Sequence, residues 1–271
     1  MTPRRPRHRP LTELETELKS VFGAPGGATL DRVAAVIAGL SDDPVGTEAI
    51  IAQFDDLAAA APGVCADADA VLSFVFGEQG FRGNHREYYS PNNSYIDHVL
   101  ATRRGIPITL AVVAIETGRR LGVALTPVGF PSHFLVGDGS RPDRWFDPFE
   151  AGRSLDPDAC QDLLTRIHPG ARLDISHTAV LEPAEVAHRM LINLRHIHLT
   201  LGDLSRATAV AELSVMVPGA GLAHRVELIK LLNATGRFDA AAAQHERLAL
   251  LDPAHEAEHH VAAKRLRFHL N

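Results

Sequence analysis

The chain has 271 residues, 45% hydrophobic and 22% charged, with a formal net charge of −6 at pH 7. That length holds one large domain or two modest ones, each with its own core, and two are expected. No window approaches the unbroken apolar stretch of a membrane span, so a soluble protein without a membrane partner is expected.

Met1 to Pro10 carries four arginines (Arg4, Arg5, Arg7, Arg9) among three prolines, and polar Thr12, Glu13 and Glu15 follow where a signal peptide needs an apolar run. Residues 1–10 therefore read as a disordered basic tail. Without it, 23 basic residues face 33 acidic ones, and the folded body offers no electrostatic footprint for nucleic acid; the tail alone could touch phosphates. Leu11 to Phe22, Leu30 to Leu40 and Thr47 to Leu57 show apolar positions at three- and four-residue spacing, which predicts helices parted by Gly26-Gly27 and Asp43-Pro44. A fourth helix is expected over Asp67 to Phe76. Tyr88 to Asn93 has turn chemistry, and a short helix follows from Tyr95 to Arg104. Pro107 suits a first helical turn, where its missing N–H needs no partner, and Ile108 to Leu121 is apolar on most faces, so that helix should be buried.

After Gly122 the period changes to short β segments at Ala124 to Val128, His133 to Val136 and Arg144 to Phe146, with a turn at Gly137 to Ser140. Asp156-Pro157 opens a helix through Ile167, and Ala171 to Ile175 could be one more strand. This is an α+β arrangement over residues 11–182. From Pro183 the chain is helical, with a 34-residue repeat: Gly202-Asp203-Leu204 and Ala207 recur as Gly236-Arg237-Phe238 and Ala241, and Leu194 maps to Leu228. Glycine at the turn, a small residue at the helix crossing and proline near the end (Pro218, Pro253) is the tetratricopeptide signature, so residues 183–271 are expected to form an all-α hairpin pair. Two repeats are too few to stand alone, and a last helix, Ala254 to Leu270, should support them.

Cys65 and Cys160 are the only cysteines, far apart and outside any C-x-x-C pair. Disulfide frameworks and structural zinc are thus poorly supported, and a reducing cytoplasm is expected. His255-Glu256-Ala257-Glu258-His259 matches the two-histidine zinc motif formally, but the charged Glu258 intervenes and only twelve residues follow, so it reads as a solvated terminal helix. No metal or cofactor is expected.

One constellation could carry chemistry. If the turn centres on Ser140, Val136 faces Arg144 and His133 faces Asp147 across the hairpin, on one face of the sheet. A carboxylate so placed fixes the imidazole tautomer and stabilises imidazolium, as a general base in acyl transfer requires. The alternative is a structural pair that closes the hairpin.

Tyr89 to Tyr95, Arg103 to Leu110, Arg119 to Gly122, Ser132 to Val136 and Phe146 to Phe149 together resemble the bacterial Sir-B type of transglutaminase-like protein, over roughly residues 65 to 271. The resemblance implies a papain/transglutaminase-like core joined to tetratricopeptide-like helices. It also implies a cysteine nucleophile at the start of the buried helix, a histidine base on a following strand and an aspartate that orients it. His133 and Asp147 match the last two. Gly105-Ile106-Pro107 places proline where sulfur belongs, and the nearest hydroxyl, Thr109, is two residues on. A helix N-terminus would depress a thiol's pKa, but neither cysteine occupies that position. Thr109 is either a hydroxyl nucleophile or a hydrogen-bonding residue of the first helical turn. Arg103 and Arg104 near that turn favour an anionic or carboxylate ligand or are plain surface, and Glu116, a carboxylate on a mostly apolar helix, is either a ligand-binding residue near His133 or half of a structural buried pair with an arginine. Two readings follow. One is a module without its catalytic cysteine that binds a peptide or protein partner; the other is a hydrolase or acyl transferase using His133 and Asp147 with Thr109 or an activated water.

Overall fold

The computed structural model describes residues 8–63 and 65–268. Residues 1–7 of the expected basic tail and residues 269–271 at the end of the predicted last helix lie outside the described residues. In chain order the elements are α1 (Leu11–Phe22), α2 (Leu30–Ala38), α3 (Thr47–Ala59), α4 (Ala68–Leu72), β1 (Arg82–Gly83), α5 (Ile96–Thr102), β2 (Arg104–Gly105) and α6 (Pro107–Arg120). Then come β3 (Leu125–Val128), β4 (Leu135–Asp138), β5 (Arg141–Asp147), β6 (Arg153–Leu155) and α7 (Pro157–Ile167). The helices α8 (Pro183–Thr200), α9 (Leu204–Ser214), α10 (Leu222–Ala234), α11 (Phe238–Leu251) and α12 (Glu256–Phe268) complete the chain. The expected fold class holds: helices with one small antiparallel sheet, followed by a helical C-terminal region. Among the described residues no helix is long and apolar enough to cross a membrane.

The chain divides into two compact units, one holding Gly23–Val186 and the other Pro10–Phe22 with the chain from Ala187 onward. The sequence boundary at 182/183 left Leu11–Phe22 with the core. In the structure α1 packs against α9, within the second unit. Its apolar stripe, Leu14, Leu18 and Val21, announces that one face is buried but not which partner buries it.

In the first unit α6 is the central element, buried from Pro107 to Gly118 as its all-round apolar sequence requires. Helices α2, α3 and α5 and strands β3 and β4 pack around it. Pro107 stands at its first turn. The sheet is a meander in the order β3-β4-β5-β6. Val136 pairs with Phe146, not with Arg144, so the predicted register is displaced by two residues, and a bulge lies between Gly137 and Asp138. A slip of two keeps every side chain on its face, whereas a slip of one would have inverted the sheet. One core cluster of this unit joins Phe130, Leu135, Trp145 and Leu155 to Cys160 and Leu164 of α7. The strand proposed over Ala171 to Ile175 is absent: Gln161 accepts from the Leu173 N–H and donates to the Ala171 carbonyl, at 2.8 and 3.0 Å, in place of a strand partner. Ile175–Thr178 is instead a 3-10 turn.

In the second unit the 34-residue period is visible as repeated turn geometry. Gly202 and Gly236 both adopt positive φ, 73° and 72°. The N–H of Asp203 reaches the His198 carbonyl at 2.9 Å, and that of Arg237 reaches Leu232 at 2.8 Å. These are the five-residue return bonds that close a helix through a left-handed glycine. Ala207 and Ala241, fully buried, take equivalent places after the two turns.

Candidate functional site

The site begins where β1 and β2 pair in parallel, Arg82 with Arg104 and Gly83 with Gly105. A side chain at Gly105 would put its Cβ 2.7 Å from Thr109 Oγ1, and one at Gly83 would put it 2.6 Å from the Phe149 ring, so glycine at both positions allows the loop to lie against α6 and the hairpin. The Thr109 hydroxyl, fully buried, accepts from the Ile106 N–H at 3.2 Å and donates to the Asn93 carbonyl at 2.8 Å. The first of these is one half of a capping box, a third-position side chain reaching back to an unpaired N–H of the first turn. Asn93 is itself fixed: Asn84 donates to its Oδ1 at 3.0 Å, and its own amide donates to the carbonyls of Glu87 and Tyr88.

His133 and Asp147 come together. Ser132 takes a positive φ of 51° and the His133 N–H bonds to the Phe130 carbonyl, so the histidine lies in a turn two residues before β4 rather than opposite Asp147 in the ladder. Its Nε2 nevertheless lies 3.0 Å from Asp147 Oδ1, because the turn brings the ring back to the end of β5. The N–H groups of Phe149 and Glu150 donate to the same oxygen at 3.0 and 3.3 Å. Burial pushes the Asp147 carboxyl up, but the hydrogen bond and charge of His133 and these two N–H groups outweigh it and hold it below the usual aspartate value. Against an ionised carboxylate Nε2 carries the proton.

Both cysteines are buried and free. Burial, reinforced by the charges of Asp156 and Asp147, pushes the Cys160 thiol up to about 12, so it stays protonated. Ile106 and Pro107 occupy the start of α6, as the sequence dictates.

The three remaining residues named from sequence go to separate places. Arg103, with a positive φ of 60°, donates to the Gln79 side chain and carbonyl at 2.7 and 2.9 Å and lies over the Phe81 ring. Arg104 lines a cavity with Arg82 and Arg86. Glu116 is buried in an ion network, accepting from Arg119 at 2.7 Å, Arg120 at 3.1 Å and the Leu30 N–H at 2.9 Å. Of the formal zinc motif, His255 bonds to Asp252 and His259 lies against His245, so its two histidines have different partners. Sequence reasoning missed Asn84, Asn93 and the Phe149 and Glu150 N–H groups. The turn residues Tyr88 to Asn93 were the one signal for the first pair; backbone donors leave none.

Residues 46–192 match the model of the transglutaminase-like superfamily. The chain is 39% identical over 152 residues to a UPF0162 protein of Xylella fastidiosa (strain 9a5c), covering 53% of each chain. It is 35% identical over 127 residues to a UPF0162 protein of Pseudomonas aeruginosa, covering 46% of each. It is also 33% identical over 135 residues to F-box only protein 21 of Mus musculus, covering 46% of this chain and 21% of that one. The chain thus matches about half the length of the UPF0162 proteins. No solved structure matches.

Proposed function

We infer, because the chain belongs to the transglutaminase-like superfamily, that it is a module of that superfamily, of the Sir-B type, which has lost the catalytic cysteine and binds a peptide or protein segment beside His133 and Asp147. The observation that carries this reading is the state of the hydroxyl and thiol groups. Thr109 is held by two backbone partners in a helix cap, and Cys160 is a buried, protonated thiol. A nucleophile needs an exposed, activated atom, and neither group supplies one. The repeated glycine turns at Gly202 and Gly236 support reading the C-terminal helices as tetratricopeptide-like, a second surface for a partner. Two free buried thiols suit a reducing cytoplasm.

A second reading has one observation in its favour. The pair His133 and Asp147 keeps the 3.0 Å contact that orients a general base, so an activated water could take the place of the thiolate in a hydrolase.

The test is to screen the purified protein against acyl, amide and ester substrates while capturing partners from a lysate with wild type and His133→Asn. Stable partners whose retention depends on His133, with no turnover above background, are expected. Reproducible turnover that collapses in a folded His133→Asn variant by about a hundredfold or more would replace the binding reading with catalysis.

A further inference from the structure

The loop that supports the site carries charge for which the fold provides no counter-ion. β1 and β2 pair in parallel with Arg82 in register with Arg104. Strands in register stand about 4.8 Å apart with matched side chains on one face, and like charges so placed repel. Some arginines of the same unit do meet carboxylates: Arg144 holds Asp69 at 2.6 Å, and Arg120 holds Asp31 and Asp55 at 2.7 and 2.6 Å. Among the described residues neither Arg82, Arg104 nor nearby Arg86 has an ion-pair partner within 4 Å. All three line one cavity of about 640 Å³, together with His85, Asn84 and Glu87. Three guanidinium groups there meet one carboxylate, that of Glu87, which leaves an excess of positive charge. His85 is turned toward Glu150, at 3.9 Å, and its ring lies tilted against Phe149, centroids 4.4 Å apart.

The wall of this cavity is built and not incidental. Gly83 and Gly105 let the two strands lie against Phe149 and α6, and the Asn84–Asn93 bond at 3.0 Å braces the loop. Guanidinium groups present planar, paired donors matched to the oxygens of carboxylate and phosphate, and two of them on one face can grip a single oxyanion from both sides.

We propose that this cavity is an oxyanion-binding site, taking a carboxylate or phosphate group between Arg82 and Arg104 with Arg86 closing on it. An anion there removes the repulsion that the paired register imposes. Arg103 has no part in it, since its guanidinium is held by Gln79 and Phe81. The site does not depend on a peptide lying beside His133, and its test is separable from that reading.

Inorganic phosphate is titrated into the full chain at fixed ionic strength, chloride replacing phosphate, by calorimetry and by thermal shift. Saturable binding and a raised melting temperature are expected, weakened about tenfold or more in the double variant Arg82→Gln with Arg104→Gln and unchanged in His133→Asn. The double variant without ligand should melt no lower than wild type, because a repulsive pair has gone. A second arm competes phosphate with a Glu-containing hexapeptide and its Gln counterpart. Displacement by the Glu peptide alone assigns the site to an acidic segment, and no displacement assigns it to a phosphorylated small molecule; either outcome sustains the oxyanion site. Absence of saturation by both probes, or equal affinity in the double variant, overturns the proposal. Should that variant not fold, the arginine Nε–Hε resonances of wild type decide: shifts at Arg82 and Arg104 on phosphate addition support the site, and their absence refutes it.

Discussion

His133 binds Asp147 through Nε2 at 3.0 Å, on the same carboxylate oxygen that receives the N–H groups of Phe149 and Glu150. One buried oxygen therefore ties the turn before β4 to the turn after β5. Removing the carboxylate in Asp147→Ala takes the shared acceptor from the part-buried His133 ring and from two backbone donors, and should destabilise the chain by about 2–4 kcal/mol. Asp147→Asn retains an acceptor at the same place without the charge, so about half that loss is expected. Denaturant unfolding of both variants measures it; equal losses would mean that charge and not the shared acceptor dominates.

The same carboxylate makes a pH prediction. Its folded pKa lies below the ordinary value of 3.8, the His133 and backbone hydrogen bonds outweighing burial. A depressed folded pKa means that the unfolded chain binds the proton first as pH falls, so the stabilisation is complete above the unfolded value and is lost as pH drops through the folded one. The stability gap between wild type and Asp147→Asn should therefore close as pH falls below 3.8. Unfolding curves taken across that range would expose a gap that widens instead.

Much of this was legible in the sequence, and the reasons differ by element. Pro107 with an apolar run fixed the start and burial of α6, since both signals are local. The His133–Asp147 pair is predicted from a register two residues off, and it forms because the turn at Ser132, outside the ladder, brings the ring back to the end of β5. The bulge at Gly137 that causes the slip has no sequence mark beyond a glycine already read as turn. β1 and β2 are two residues each, too short for any periodicity, and so the in-register arginines Arg82 and Arg104 were invisible. The partners that Glu116 needs, Arg119 and Arg120, lie three and four residues on and are legible locally, whereas the second carboxylate of the network, Asp31, is 85 residues away along the chain and no local pattern points there.

That network carries its own prediction. The Arg120 side chain is 11% exposed and bonds to Asp31 and Glu116, each 2% exposed. Burial and the charge of Asp31 raise the Glu116 pKa against the pull of Arg119 and the Leu30 N–H. Arg120→Met should cost about 3 kcal/mol or more, since two buried carboxylates then share only the half-exposed Arg119, whereas Arg119→Met, at a side chain 49% exposed, should cost about 1 kcal/mol. Because Glu116 binds its proton more tightly folded than unfolded, its neutral form favours the folded state as pH falls. The Arg120→Met deficit should narrow toward acid pH, and a deficit that grows there would show that Glu116 does not take up the proton.

Thr109 separates the two readings of the site most directly. Its hydroxyl accepts from Ile106 and donates to Asn93, both inside the core, so Thr109→Val keeps the shape and leaves a buried N–H and a buried carbonyl each short of a partner. A loss of about 1–3 kcal/mol follows, and Thr109→Ser, which restores the hydroxyl, should recover most of it. If the cap is the whole role of Thr109, partner capture by Thr109→Val at a temperature where the variant is folded will equal that of wild type. If instead the hydroxyl attacks an acyl group, any turnover must vanish in Thr109→Val even where unfolding curves show the variant intact, because the oxygen that would carry the acyl group has gone. Stability lost with binding retained is the expected pair of results; stability retained with turnover lost would make Thr109 a nucleophile and the protein an enzyme.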